Sequence, residues 1–331
     1  MSKDNLDVVG IGNAIVDVLS KTDDTFLKSN RINKGTMTLI EAAQSEALYS
    51  KMGPAVEMSG GSAANTAAAL ASLGGKAGFI GKVAHDQLGS VFRHDIRAIG
   101  VAFETLPLVN GPPTARCMIL MTPDGQRTMN TYLGACTMLT TNDLDEDMIA
   151  GAKVTYLEGY LFDRDHAKQA FRNAAEIAHA AGKKVALTLS DPFCVDRHRD
   201  EFLELVKDHV DILFANEAEI TSLYKVKDFS QVKPHCELVV ITRSAHGSVI
   251  INKKMVMNEL IEIEAEPVAK VVDTTGAGDV YAAGFLYGYT QGKSLAACGR
   301  IASIAAAEIV SQVGARPQKN LAQVLKDKNA S

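Results

Sequence analysis

The stretch Asp273-Thr274-Thr275-Gly276-Ala277-Gly278-Asp279 holds the densest candidate chemistry in the chain. Gly276 and Gly278 carry no Cβ, so the backbone can turn tightly there and come close to a ligand. The uncharged run from Val280 to Tyr289 reads as a buried helix behind this turn. The run containing Val268, Val271 and Val272 reads as a strand before it. The first N–H groups of such a helix lack carbonyl partners and favour an anion. Asp279 sits at that same N-terminus, where a carboxylate is stabilised and can take a proton from a hydroxyl. An anion hole beside a base is the equipment for moving a phosphoryl group onto an alcohol.

Other candidates are spread over the chain. Leu6 to Gly12 reads as a buried strand whose Gly10 and Gly12 raise a dinucleotide fingerprint. Position 15 is Ile15, no helix-like pattern follows, and Asp17 interrupts the apolar run, so that fingerprint is incomplete. Gly60-Gly61-Ser62-Ala63-Ala64-Asn65 opens an Ala-rich helix to about Leu73, small enough for close approach of a backbone or ligand. Asn216 follows the strand Val210–Ala215 as a helix cap, and Glu219 completes a capping-box-like pair. The turn Thr242-Arg243-Ser244-Ala245-His246-Gly247 follows another strand.

These residues need a scaffold, and the composition supplies one. The chain has 331 residues, 47% hydrophobic and 22% charged, ordinary for a soluble protein of one large domain with a smaller appendage. A net charge of -5 argues against a nucleic-acid surface. No apolar run reaches the ~20 residues that span a bilayer, and the polar start, Met1 to Asp7, is not a signal peptide. Five scattered cysteines without a Cys-x-x-Cys point to reduced thiols and a cytoplasmic setting.

From about Leu144 short apolar strands alternate with helices: strands at 154–160, 185–190, 210–215 and 238–242, helices at 166–181, 196–207 and 217–224. A closing helix runs from Leu295 to Val313. This is a parallel sheet covered on both faces, with ligands beyond the carboxyl ends of its strands. Asp17, Asn216 and Asp279 all follow predicted strands, which puts them on one edge. Two blocks break the alternation: Val16 to Ile40, and the hairpin Thr114–Met121, Pro123-Asp124-Gly125, Arg127–Tyr132. They read as a small β lid over residues 13–40 and 109–135, inserted into a large domain of 1–12, 41–108 and 136–331. A closing lid excludes water from a reacting site. Arg127, at the tip of the second hairpin, is placed to swing onto a polyphosphate.

The seven-residue string resembles the C-terminal signature of the ribokinase-like (PfkB-type) carbohydrate kinases, and motifs in family order run from about Val8 to Gly314. The resemblance implies a three-layer α/β/α domain with a mostly parallel central sheet plus a β lid. It implies ATP and Mg²⁺, with a monovalent cation near Asp273 as a further candidate. Asp279 would be the catalytic base, with Gly276, Ala277 and Gly278 around the transferring group. Asn13, Asp17, Gly60, Gly61, Ser62 and Asn65 would hold the sugar, and one carboxylate can accept two hydrogen bonds from a vicinal diol. Thr242, Arg243, Gly247, Thr274, Thr275 and Ala306 would border ATP, and Asn216 and Glu219 would organise Mg²⁺ through water.

Departures from the family pattern are Ala84 in Gly81-x-Val83-x-x-Asp86-x-x-Gly89, Ser244 where Gly is usual, and Pro112-Pro113-Thr114-Ala115 for a Thr-Gly-Thr. Ser62 stands where ribokinases carry Lys. The blocks Leu187 to Phe193 and Val210 to Glu217 look more like adenosine kinases than sugar kinases. Gly159-Tyr160-Leu161-Phe162 is similar to the stretch that offers them an aromatic for the base, with Ile15 and Met37 as an apolar wall. The expected acceptor is the 5′-hydroxyl of adenosine. The alternatives are a free sugar (ribose, fructose or a ketodeoxy acid) and an idle nucleoside- or sugar-binding module. The expected state is a monomer or a lid-mediated homodimer.

Overall fold

The computed structural model describes residues 5–253 and 260–330. The strands are β1 (Val8–Ile11), β2 (Ile15–Lys21), β3 (Met37–Leu39), β4 (Ala55–Gly60), β5 (Ala77–Ile80), β6 (Ala115–Met121), β7 (Arg127–Tyr132), β8 (Val154–Glu158), β9 (Lys184–Thr188), β10 (Ile212–Asn216), β11 (Leu238–Thr242), β12 (Ser248–Asn252) and β13 (Leu260–Ile263). They form an eight-stranded sheet in the order β13-β12-β11-β10-β9-β8-β1-β5 and a five-stranded sheet in the order β3-β7-β6-β2-β4. In the larger sheet the pairs from β5 to β11 are parallel, and β12 and β13 add antiparallel edges.

Successive residues of one strand point to opposite faces, and each face has its own core. Leu238 and Val240 join the cluster containing the helices Ser62–Ser72, Ala277–Thr290 and Leu295–Val310. Val239 and Ile241 join the cluster with the helices Asp165–Ala180, Pro192–Asp208 and Glu217–Tyr224. A strand buried on both faces must be apolar at every position, which is why these segments read as continuous runs. The helices Ala277–Thr290 and Leu295–Val310 touch closely because Gly284 has no side chain: a Cβ there would lie 2.6 Å from Ala302 Cα.

The second sheet is the lid. It takes in β4 as well as the two expected blocks, and β4 pairs antiparallel with β2. β4 is a half-exposed edge strand of small and polar residues, Ala-Val-Glu-Met-Ser-Gly, so it lacks a clear alternation. It leads through Gly61 straight into the helix Ser62–Ser72, tying the lid to the main body. The expected strand over Val268–Val272 is absent. Val271 and Val272 are 55% and 43% exposed, and Val272 N–H bonds to Val310 O (2.8 Å) rather than to a neighbouring strand. β-branched residues favour extended backbone, but without a partner strand no ladder forms. No helix among the described residues is long and apolar enough to cross a membrane, and all five cysteines are free and buried.

Candidate active site

Parallel strands deliver their carboxyl ends to one edge, and there Asn13, Glu158, Thr188, Asn216 and Thr242 line a cavity of about 740 Å³. That volume is in the range of small-molecule sites. Asp279 joins this edge from the first turn of the helix Ala277–Thr290, not from a strand end. Asp17 lies inside β2, paired with Met58 and Cys117 in the lid sheet, and does not terminate a strand.

Asp279 is gripped from the helix Ser62–Ser72. Ser62 Oγ donates to its Oδ1 (2.6 Å) and Asn65 Nδ2 to its Oδ2 (3.0 Å). Burial pushes the carboxyl above its ordinary value, while these two bonds and the Arg316 guanidinium oppose that rise. Asn65 Oδ1 is buried and has no hydrogen-bond partner among the described residues. Gly61 is required by its backbone: φ is 97°, and a Cβ would lie 2.1 Å from Asn13 O. Gly60 lines no part of the cavity but leaves the room that the Asp17 carboxylate fills, since a Cβ would sit 2.4 Å from Asp17 Oδ2. Burial lifts Asp17 to about 6, against the pull of Arg316 and Arg127.

Glu158 closes an otherwise uncharged strand and went unread in the sequence, although a lone acid ending a buried run was a signal. It accepts from Asn13 Nδ2 (2.8 Å) and N–H (3.3 Å) and from Ala63 N–H (2.8 Å). It thereby caps the helix that presents Ser62 and Asn65 and holds Asn13 in place.

The glycine turn forms as expected. Gly276 has φ 77° and packs on Ala315, where a Cβ would be 2.7 Å away. Gly278 faces open space, and Thr274, Thr275, Gly276, Ala277 and Gly278 line the cavity. A helix's first N–H groups lack carbonyl partners, so this end can take an anion. Asp273 braces the turn: its Oδ1 accepts from Thr275 N–H (3.0 Å) and Oγ1 (2.8 Å), and its Oδ2 from Gly314 N–H (2.8 Å). Arg127 Nη1 adds an ion pair to Oδ2 at 2.7 Å, buried on both sides. Arg127 is the first residue of β7; it lines no part of the cavity, and instead of standing free to reach a polyphosphate it bridges the second sheet to the glycine turn. Three hydrogen bonds and one ion pair thus hold the Asp273 carboxylate in place.

The aromatic assignment divides. Tyr160 lines the cavity and is 39% exposed. Phe162 does not: it is fully buried and stacked on Phe202 at a centroid distance of 4.3 Å. Both belong to one 3₁₀ turn, Gly159–Asp163, which sends side chains two apart in different directions. A second cavity aromatic, Phe193, is 74% exposed. It went unread because the helix was expected to begin at Asp196; the helix begins at Pro192, capped by Asp191 accepting from Phe193 N–H (2.7 Å). Asp followed by Pro is a helix-start pair.

The second sheet lines the same cavity with one face. Register sets Asp17, Cys117, Thr131 and Leu39 side by side across the sheet, with Ile119, Met129 and Met37 as the next row. All seven line the cavity, as does Ile15 two residues before Asp17. Burial and the Asp17 charge push the Cys117 thiol up to about 12, so it stays neutral.

At the far end, Asn216 and Glu219 form a reciprocal capping box. Glu219 accepts from Asn216 N–H (2.9 Å) and Nδ2 (2.6 Å), and Asn216 Oδ1 accepts from Glu219 N–H (2.9 Å). Burial lifts Glu219 to about 7. Among the described residues no group of three or more His, Cys, Asp or Glu is arranged to hold a metal. One cavity-lining carboxylate fits an ion held mainly by water and phosphate, not a protein cage. Four expected nucleotide contacts, Arg127, Arg243, Gly247 and Ala306, lie outside the cavity. Arg243 donates to Glu217 (3.2 Å) and covers the Phe229 ring, and Ala306 packs against the core. Gly247 is dictated by a turn, since a Cβ would lie 1.9 Å from Ile263 O. Ser244 has φ 51°, a left-handed position, which is the physical reason glycine suits it.

A sequence model of the pfkB family of carbohydrate kinases matches residues 36–321. A solved structure of a probable sugar kinase from Rhizobium etli CFN 42 is 50% identical, with a TM-score of 0.91 over 99% of this chain and 100% of that one. An adenosine kinase from Sinorhizobium meliloti is 52% identical, with a TM-score of 0.88 over 98% of this chain and 99% of that one. A nucleoside kinase from Methanothermobacter thermautotrophicus is 28% identical over 77% of this chain and 79% of its own length.

Proposed function

Since this chain belongs to the pfkB family of carbohydrate kinases, we propose that it transfers the γ-phosphoryl group of ATP to the 5′-hydroxyl of adenosine, releasing AMP and ADP. The observation that carries this reading is the two-part cavity. Its lining combines a polar part, Asp17, Asn65 and Asp279, with an aromatic and aliphatic part, the slot, of Tyr160, Phe193, Met37, Leu39, Ile119 and Met129, and it also includes Asp163, Asp191 and Arg197. A free sugar has no surface for that slot, whereas a purine attached to ribose fills it.

Asp17 accepts hydrogen bonds from the 2′- and 3′-hydroxyls, and Asn65 Oδ1 accepts a further hydroxyl proton. The base lies between the rings and the lid, where stacking contributes roughly 1–3 kcal/mol per ring. The 5′-oxygen then faces Asp279. As its bond to the γ-phosphorus forms, Asp279 takes the hydroxyl proton, and the bond to the β-γ bridging oxygen breaks with ADP leaving. The helix N-terminus at Gly276–Gly278 takes the charge on the moving group. Family kinases generally use Mg²⁺ with ATP; Asn216 and Glu219 would hold its waters, and the ion would neutralise phosphate charge. Closure of the lid, which Arg127 links to Asp273, keeps water from the γ-phosphate.

The second reading is a free-sugar acceptor, favoured because the polar part is complete without the slot. ATP consumption measured side by side with adenosine, other nucleosides, ribose and fructose separates them. Turnover with adenosine at micromolar concentration supports the proposal, and turnover with a free sugar alone rejects it.

A further inference from the structure

Arg316 follows Gly314-Ala315 beyond the helix Leu295–Val310 and matches none of the motifs above. Its guanidinium is turned inward on three contacts. Nε donates to Ser59 O (3.1 Å), Nη2 to Ser59 Oγ (3.0 Å) and Nη1 to Ala64 O (2.9 Å). These acceptors flank the Gly60-Gly61 turn, one at the end of β4, the other in the first turn of the helix Ser62–Ser72. Asp95, on the helix Gln87–Ala98, accepts the Ser59 N–H (2.8 Å) and the Ser59 hydroxyl, so Ser59 is clamped between the two charged groups. The same turn organises both carboxylates of the site: Gly60 makes room for Asp17, and Ser62 and Asn65 hold Asp279.

Among the described residues Arg316 makes no direct ion pair, unlike Arg127, whose charge is committed to Asp273. An inward-facing charge is costly unless opposite charges stand near it. The three that face Arg316 are Asp95, Asp17 and Asp279, and burial lowers the guanidinium itself to about 10.

We propose that Arg316 is a positioning residue for phosphoryl transfer: its fixed guanidinium supplies the positive charge that balances Asp17 and Asp279 across the Gly60-Gly61 turn. This rests on the assignment of Asp279 as the base. Two carboxylates facing one closed site repel each other and resist ionisation once water leaves. A cation pinned behind the backbone offsets both without occupying substrate space. The other groups facing Asp279 are Glu158, Tyr156 and Tyr160. Asp17 also faces Arg127 and Cys117. Of these neighbours only the arginines bring positive charge.

The test compares the parent with Arg316→Gln and Arg316→Lys. Arg316→Met is the second neutral variant should a buried glutamine unfold the chain. Two readouts are taken: the pH profile of kcat/KM with ATP and adenosine, and ¹³C-carboxyl NMR titration of Asp17 and Asp279 in the ligand-free protein. The neutral variants should move the acid limb and both titrations upward by roughly one pH unit, the size of a lost opposite charge. Turnover should recover toward the parent's at high pH, and lysine should keep the parent profile. A neutral variant whose profile is uniformly lowered but unmoved, with unmoved titrations, overturns the proposal and leaves a packing role. The titration needs no substrate. Moved titrations without adenosine turnover therefore reject the substrate assignment and uphold the charge balance.

Discussion

The two sheets serve the site in different ways. The eight-stranded sheet is buried on both faces and gives only its ends: Asn13, Glu158, Thr188, Asn216 and Thr242 all sit where a parallel strand stops. The lid sheet gives a face: seven cavity residues lie on two adjacent rows of four strands, and Asp17 is the one charge among them. Ends position single groups and bring helix N-termini with them, which suits chemistry. A face offers area, which suits recognition. The division predicts that substitutions at Asp279 and the glycine turn act on kcat and that slot substitutions act on KM.

The largest effect should come from Asp279→Asn. Loss of a general base cuts kcat by ~10²–10⁴, and adenosine binding measured by calorimetry should change only a few-fold. An equal loss of binding would break the division. Gly276→Ala comes next. It strains a left-handed residue packed on Ala315, and displacing the anion hole should lower kcat by about 10²–10³ at unchanged nucleoside KM.

The aromatic pair sharpens the comparison. Phe193→Ala and Tyr160→Ala should each raise the adenosine KM by roughly 5- to 150-fold, the equivalent of 1–3 kcal/mol of lost stacking. Phe162→Ala should leave KM in place and lower unfolding stability by ~3–5 kcal/mol, as an emptied core site does. Steady-state kinetics beside urea unfolding reads both.

The smallest effect tests Asp17, the one charge among those seven cavity residues. Asp17 is raised from 3.8 to about 6 in the folded chain. A raised carboxyl contributes stability below its unfolded value and loses it as pH rises through the folded one. Asp17→Asn should therefore be more stable than the parent above pH 6, by about 3 kcal/mol, with the gain vanishing below the unfolded value near pH 4. In the parent, adenosine KM should rise as pH falls through 6, where Asp17 loses its ionised form. Denaturant unfolding at pH 5 and pH 8 checks the first, and KM over the same range the second.

Much of this was legible in the sequence because local rules and tertiary packing agree. The strand Leu238–Thr242 and the helix Glu217–Tyr224 stand where apolar runs and a capping box put them. The glycine turn with Asp279 was readable because a tight left-handed turn needs glycine and a helix start follows it at fixed spacing. What stayed hidden depends on pairing across long separations. β4 shows no alternation because half of it is exposed. Val268–Val272 looks like a strand but pairs with no strand among the described residues. Tyr160 and Phe162 differ only in which way a 3₁₀ turn points them. Arg127 and Arg316 take their meaning from Asp273 and Ser59, residues far away in the chain.

The most direct test of the central claim is ATP-dependent turnover of adenosine and ribose, measured in parallel for the parent and for Phe193→Ala. The account predicts that the parent converts adenosine to AMP at micromolar concentration and turns over ribose poorly. Phe193→Ala should lose adenosine affinity while its ribose rate stays the same. Turnover of ribose or another free sugar in preference to adenosine, indifferent to Phe193, would contradict it.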